Sequence, residues 1–164
     1  MYCSRKILTA TVSLLLLAAS STALVNKPRD LLGLRPGMSE DSVRRKLRRI
    51  GKQQKEEKER EGEEGEQEVW ILNRHHQFDY IVTRFDRQHR LLFVTAVVRS
   101  DARLRYADIA GLAEARHATD GRNHTYTWNI SGSGKKPGYL MVARGSDPQF
   151  ITSYSLYPLK PKAN

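Results

Sequence analysis

The sequence predicts an α+β protein built from two tandem helix-plus-three-strand units, which form a mostly antiparallel sheet with helices on one face. Three observations predict it. Apolar residues recur at helical spacing twice, as Val43, Leu47 and Ile50 and as Ile109, Leu112 and Ala113. Six other runs are short, apolar and bounded by turn residues, as strands are. Finally, Trp70 and Trp128, Tyr80 and Tyr139, and Leu91 and Phe150 stand 58 or 59 positions apart, the mark of a degenerate repeat.

Residues 1–23 have the anatomy of a secretory signal peptide. Arg5 and Lys6 precede an uncharged run over 7–19, shorter than the about 20 residues that span a bilayer core, and Ser21-Thr22-Ala23 offers a cleavage site. Cleaved export is expected, with an uncleaved anchor as the alternative. The single cysteine, Cys3, lies ahead of the apolar run and is not placed for lipid attachment, so a periplasmic or secreted chain without disulfides follows. Residues 24–36 read as a tether.

The first unit, 37–99, opens with a helix. Ser39 suits the N-cap, Glu40 and Asp41 favour the positive end of the dipole, and Met38 and Val43 stand at staple spacing. Gly51 reads as the stop. The segment 52–68 is a charged insertion of eight Glu, three Lys and one Arg without an apolar side chain, so none of it is expected in a core. Strands follow over 69–72, 80–85 and 91–98, the last two joined by the polar break 86–90. The second unit, 100–158, reads as a helix over 104–116 and strands over 125–130, 139–144 and 150–157, with a tail over 159–164. In 125–130 the alternation places Tyr126, Trp128 and Ile130 on one face and Thr125, Thr127 and Asn129 on the other.

Composition bounds the function. A chain of 164 residues with 39% hydrophobic residues supports one modest core, not a multidomain enzyme. The formal charge of +10 raises nucleic acid or anionic membrane as partners, but export argues against nucleic acid. Without Arg5 and Lys6 the charge is +8, and the insertion holds four bases and eight acids, so the basic excess belongs to the folded surface.

Catalytic motifs are missing from the sequence: it has no Gly-x-Ser-x-Gly elbow, no His-Glu-x-x-His helix and no phosphate loop. Ser131-Gly132-Ser133-Gly134-Lys135-Lys136 has the wrong spacing for a Walker loop and reads as a hairpin turn. His75-His76 suits a hairpin tip. His117 and His124 flank the turn at Asp120 and could offer nitrogens to zinc or copper, but the sequence nominates no third ligand, and exposed loop histidines are the simpler reading. No catalytic, cofactor-binding or metal-binding residue is therefore assigned. Asn123-His124-Thr125 and Asn129-Ile130-Ser131 match the glycosylation pattern, which matters only in a glycosylating host.

Two surfaces remain as candidates for binding. One is the basic helix, with Arg44, Arg45, Arg48 and Arg49. The other is the sheet face turned away from the helices, expected to carry Thr125, Thr127, Asn129, Ser153, Ser155 and Tyr157.

The run from Gly33 through Pro36-Gly37-Met38-Ser39 to Val43, then Ile50-Gly51, Trp70 and a strand ending Phe85-Asp86 before Arg90, resembles the SmpA/OmlA (BamE-like) envelope proteins over about residues 33–99. These share a small α+β architecture with the tandem-repeat β-lactamase-inhibitor proteins, which the apparent duplication resembles more. The chain departs from the pattern in lacking a lipobox cysteine and in carrying the Glu-rich insertion. The resemblance implies a non-enzymatic module that binds another envelope or secreted protein, with no catalytic residue to carry over. Two alternatives stand beside it: a binder of anionic polymer or lipid, such as an anionic membrane surface, through the basic helix, and a small secreted hydrolase using a histidine site.

Overall fold

Helix α1 spans Glu40–Leu47, where the capping pattern places it, with Glu40 and Asp41 in its first turn. Ser39 has extended N-cap angles, but its hydroxyl donates to Ser42 Oγ at 2.9 Å and caps no amide. Val43 and Leu47 are fully buried. Burying side chains of this size contributes about 1.5–3 kcal/mol each, which holds so short a helix to the sheet. The structure, a computed structural model, describes residues 31–54, 67–73, 77–134 and 137–159. The expected signal peptide over 1–23, the first part of the expected tether, residues 55–66 of the charged insertion, residues 74–76 with His75 and His76, Lys135 and Lys136 of the expected hairpin turn, and residues 160–164 of the tail lie outside the described residues.

The strands are β1 (Gly51–Gln54), β2 (Gln67–Leu72), β3 (Phe78–Phe85), β4 (Leu91–Val98), β5 (Arg116–Thr119), β6 (His124–Ile130), β7 (Tyr139–Gly145) and β8 (Ser153–Pro158). They form one sheet in the order β1-β2-β3-β4-β8-β7-β6-β5. Every neighbouring pair is antiparallel. Two four-stranded meanders thus meet where β4 pairs with β8, through Val94 opposite Leu156 and Ala96 opposite Tyr154.

This overturns the expected pair of helix-plus-three-strand units. The molecule is mainly an eight-stranded antiparallel sheet, and α1 is its one helix of two turns among the described residues. The segment 104–116 is not a helix. It holds a single turn, α2 (Tyr106–Ile109), then a 3₁₀ turn (Leu112–Glu114), and Arg116 already belongs to β5. The apolar stripe misleads because its members have different surroundings: Ile109 is 1% exposed and Leu112 is 41% exposed. Ala110 turns to extended angles, and the carbonyl of Gly111 accepts the Trp128 indole N–H at 2.8 Å, a tertiary bond that replaces helix continuation. Trp70 and Trp128 lie on β2 and β6, and Tyr80 and Tyr139 on β3 and β7, so the spacing marks positions in strand meanders.

The core lies on one face of the sheet. Trp70, Ile81, Ala96, Tyr154, Ala143 and Tyr126 are cross-strand neighbours on it from β2 to β6. Val43 and Leu47 cover one half, and Leu104, Tyr106 and Ile109 cover the other. Leu31 and Leu34, expected in the tether, are also buried in this core and form an isolated bridge with each other.

The two strands that periodicity missed, β1 and β5, are the sheet's edges. All four β5 residues are exposed, and β1 is exposed beyond a half-buried Gly51, so neither carries an alternating apolar signal. Gly51 opens β1 instead of merely ending the helix. A Cβ there would stand 2.4 Å from the carbonyl oxygen of Ile71 on β2. Gly51→Ala is therefore expected to push the β1 edge off β2 and cost about 1–3 kcal/mol, the scale of overpacking. Urea unfolding measures it, with amide exchange rising first in Lys52 to Gln54.

Candidate functional site

None of the described helices covers the sheet face opposite the core, and strand alternation decides what it presents, although Val142 and Ser155 at its centre are themselves 5% and 1% exposed. Its central rung runs from Val69 through Val82, Thr95, Ser155 and Val142 to Thr127. A hydrogen bond of 2.8 Å between the Thr95 and Ser155 hydroxyls crosses the seam of the two meanders. Beside it Phe93 and Tyr157 stand 5.8 Å apart, and the Arg84 guanidinium lies 5.5 Å from the Phe93 ring centre. Ile71, at 47% exposure, extends the apolar area toward β1.

At the paired positions of this face, among the described residues, charge has one sign. Lys52 pairs in register with Ile71, Arg84 with Gln67 and Phe93, Arg144 with Thr125 and Ser153, and Arg116 with Thr127. Among the described residues, no Asp or Glu stands at a paired position on the face. An aromatic and aliphatic centre, a band of small hydroxyls and four cations together suit an apolar surface that carries carboxylates.

All six sheet residues picked from the sequence, Thr125, Thr127, Asn129, Ser153, Ser155 and Tyr157, lie on this face. The basic helix does not join them, since α1 packs on the other face. Arg45, Arg48 and Arg49 are exposed on its outer side. Arg44 is not part of that surface. Its guanidinium ion-pairs with Glu40 and with Glu68, and it stands 6.0 Å from the Phe85 ring centre.

Glu68 corrects the expectation that the charged insertion stays out of the core. It is 2% exposed, and its second oxygen accepts the Trp70 indole N–H at 2.9 Å. Glu40 is buried too and meets His89 Nδ1 at 2.6 Å. The signal for Glu68 was its place in the alternation with Trp70 and Leu72, hidden because it ends a run of exposed-looking glutamates. Phe93, Arg84 and Arg144 carry no local signal for this face, because their grouping depends on which strands are neighbours: β3 beside β4, and β8 between β4 and β7.

At the far edge, the structure brings together two histidines seven positions apart. His117 Nε2 and His124 Nδ1 are 3.2 Å apart, and the rings lie within 4° of parallel. The Tyr126 ring stacks on His117 at 4.2 Å and meets Tyr106 at 4.4 Å. Tyr106 donates its hydroxyl to the His124 carbonyl at 3.0 Å. Burial, then the neighbouring Tyr126 and Asp147, push its pKa up to about 12.

No family model, characterised protein or solved structure matches the chain. Among the described residues there is no cluster of three or more His, Cys, Asp or Glu suited to a metal, and no helix is long and apolar enough to cross a membrane.

Replacing Arg44 with Met leaves two buried carboxylates without their shared cation. The expected loss is about 3 kcal/mol in urea unfolding, against less than about 0.5 kcal/mol for Ala at Arg45, Arg48 or Arg49. Tyr106 supplies a pH test. Its folded pKa is raised above the ordinary value of 10.0, so its contribution is complete below pH 10 and declines as pH climbs toward about 12. The stability gap between the wild type and Tyr106→Phe is therefore expected to narrow over that window in denaturant titrations.

Proposed function

We propose that the protein is an exported, non-catalytic binding module of the cell envelope that holds an acidic protein partner against the open face of its sheet. The observation that carries the reading is the composition of that face: Phe93, Tyr157 and Ile71 amid Lys52, Arg84, Arg116 and Arg144, without a carboxylate at any paired position among the described residues. Export is supported by the charged, apolar and small-residue order of residues 1–23. The same order, with Cys3 ahead of the apolar run, favours a periplasmic or secreted protein without a lipid anchor. The face covers parts of both meanders, and on its central rung a partner would meet the half-buried Val69, Val82, Thr95 and Thr127, while Ser155 and Val142 are buried between them. Cationic positions at its margins would steer an acidic surface into register.

Site-directed photo-cross-linking in the native host tests this. A photoreactive residue at Thr127 or Asn129 is expected to capture one protein with an acidic surface, and the same residue at Arg48 is not. Arg116→Glu with Arg144→Glu is expected to cut the adduct by about tenfold, equivalent to 1.4 kcal/mol of lost attraction. Capture from Arg48 alone would overturn the reading. So would binding to phosphatidylglycerol vesicles that disappears when Arg45, Arg48 and Arg49 are neutralised, because it would assign the activity to the basic helix.

A further inference from the structure

We propose that His117 and His124 form a two-nitrogen site for a borderline divalent transition metal, of which zinc is the probe of choice. The site is independent of the open face, because His117 and His124 lie on the opposite side of β5 and β6 from Arg116 and Thr125.

The approach of two imidazole nitrogens across one fixed hairpin carries the inference. Zinc–imidazole bonds are about 2.0–2.1 Å long, and two of them at the tetrahedral angle hold their nitrogens about 3.3 Å apart. His117 Nε2 and His124 Nδ1 are 3.2 Å apart without an ion between them. A single shared proton fills that gap in the metal-free protein, with one neutral ring donating and the other accepting. A dication replaces the proton and leaves its remaining positions to water or to a donor from another molecule. Imidazole pairs favour zinc, copper and nickel over hard cations such as calcium and magnesium.

The hairpin beneath the pair is pre-formed. Asn123 N–H donates to Asp120 Oδ1 at 2.9 Å, Asp120 N–H donates to the Asn123 carbonyl at 3.2 Å, and Gly121 takes the left-handed conformation the turn needs, with φ of 85°. Tyr106 is 1% exposed and anchors both members, through the His124 carbonyl and through Tyr126 under His117. The backbone that carries both imidazoles is thus fixed before an ion arrives, which limits the ordering cost of binding to turning one ring. Because the rings are parallel, closing both lone pairs on one ion turns the exposed His117 ring about χ2 and loosens its stack on Tyr126.

The test is a zinc titration of the untagged full chain carrying Cys3→Ser, which removes the only thiol, followed by imidazole nitrogen and Tyr126 ring resonances. One equivalent of zinc is expected to shift the His117 and His124 ring nitrogens and the Tyr126 ring together. His117→Asn and His124→Asn should each weaken binding by at least about tenfold, a loss that removing even an outer-shell partner brings. His75→Asn with His76→Asn should leave the affinity within about twofold, since removing residues outside the site leaves both zinc–nitrogen bonds in place. The proposal falls if zinc moves neither ring, or if the affinity survives in a well-dispersed His117→Asn or His124→Asn protein. A loss confined to the His75/His76 variant would also overturn it and assign the ion to that pair.

Discussion

Arg44 joins two carboxylates that water would otherwise keep apart. Glu68 comes from the first strand after the charged insertion and Glu40 from the first turn of α1, and both are buried. A buried carboxylate is tolerable only with a cation and further donors, and here Arg44, the Trp70 indole and His89 supply them. The group ties α1 to β2 across 24 positions and fixes where the helix lies on the sheet. The first half of the core depends on that placement. Val43 and Leu47 share one buried cluster with Trp70, Ile81 and Phe85, and the ion pairs set the helix that carries them against β2. The basic character of α1 is therefore divided: its most buried arginine is structural and the others face solvent.

The sheet has a second constraint at its centre. Joining β4 to β8 puts two meanders into one continuous surface and leaves β1 and β5 as the edges. Covering elements are short, a two-turn helix on one half and single turns on the other, so they suffice for one face only. The other face carries the aromatic pair Phe93 and Tyr157 and the Thr95–Ser155 hydroxyl rung, uncovered by any described helix. The proposed binding role rests on this asymmetry of cover. The His117 and His124 pair sits apart from it, at the free edge beyond the second half of the core.

Strands with one buried face were readable in advance. Tyr126 and Trp128 against Thr125 and Thr127 is a plain period of two, and the structure keeps that division. The helix start at Ser39 was readable for the same local reason, the chemistry of its first turn. Edge strands were not: Gly51–Gln54 and Arg116–Thr119 contain no apolar alternation and exist because a neighbouring strand offers a ladder. Of the site, the small hydroxyl residues could be assigned to one face, while the aromatic pair Phe93 and Tyr157 required knowledge that β4 and β8 are neighbours.

The amino-acid order by itself determined which side chains share a strand face, where α1 begins and that the folded part is basic. These are properties of adjacent residues, governed by backbone geometry and short-range capping. Only the tertiary structure decided that 104–116 unwinds after one turn, that Glu68 is buried and Arg45 is not, and that two histidines on one hairpin meet. Each of those outcomes is set by the partner a group finds. A buried charge, an unpaired strand edge and a free indole N–H have energies that depend on residues distant in the chain, and no local pattern contains them.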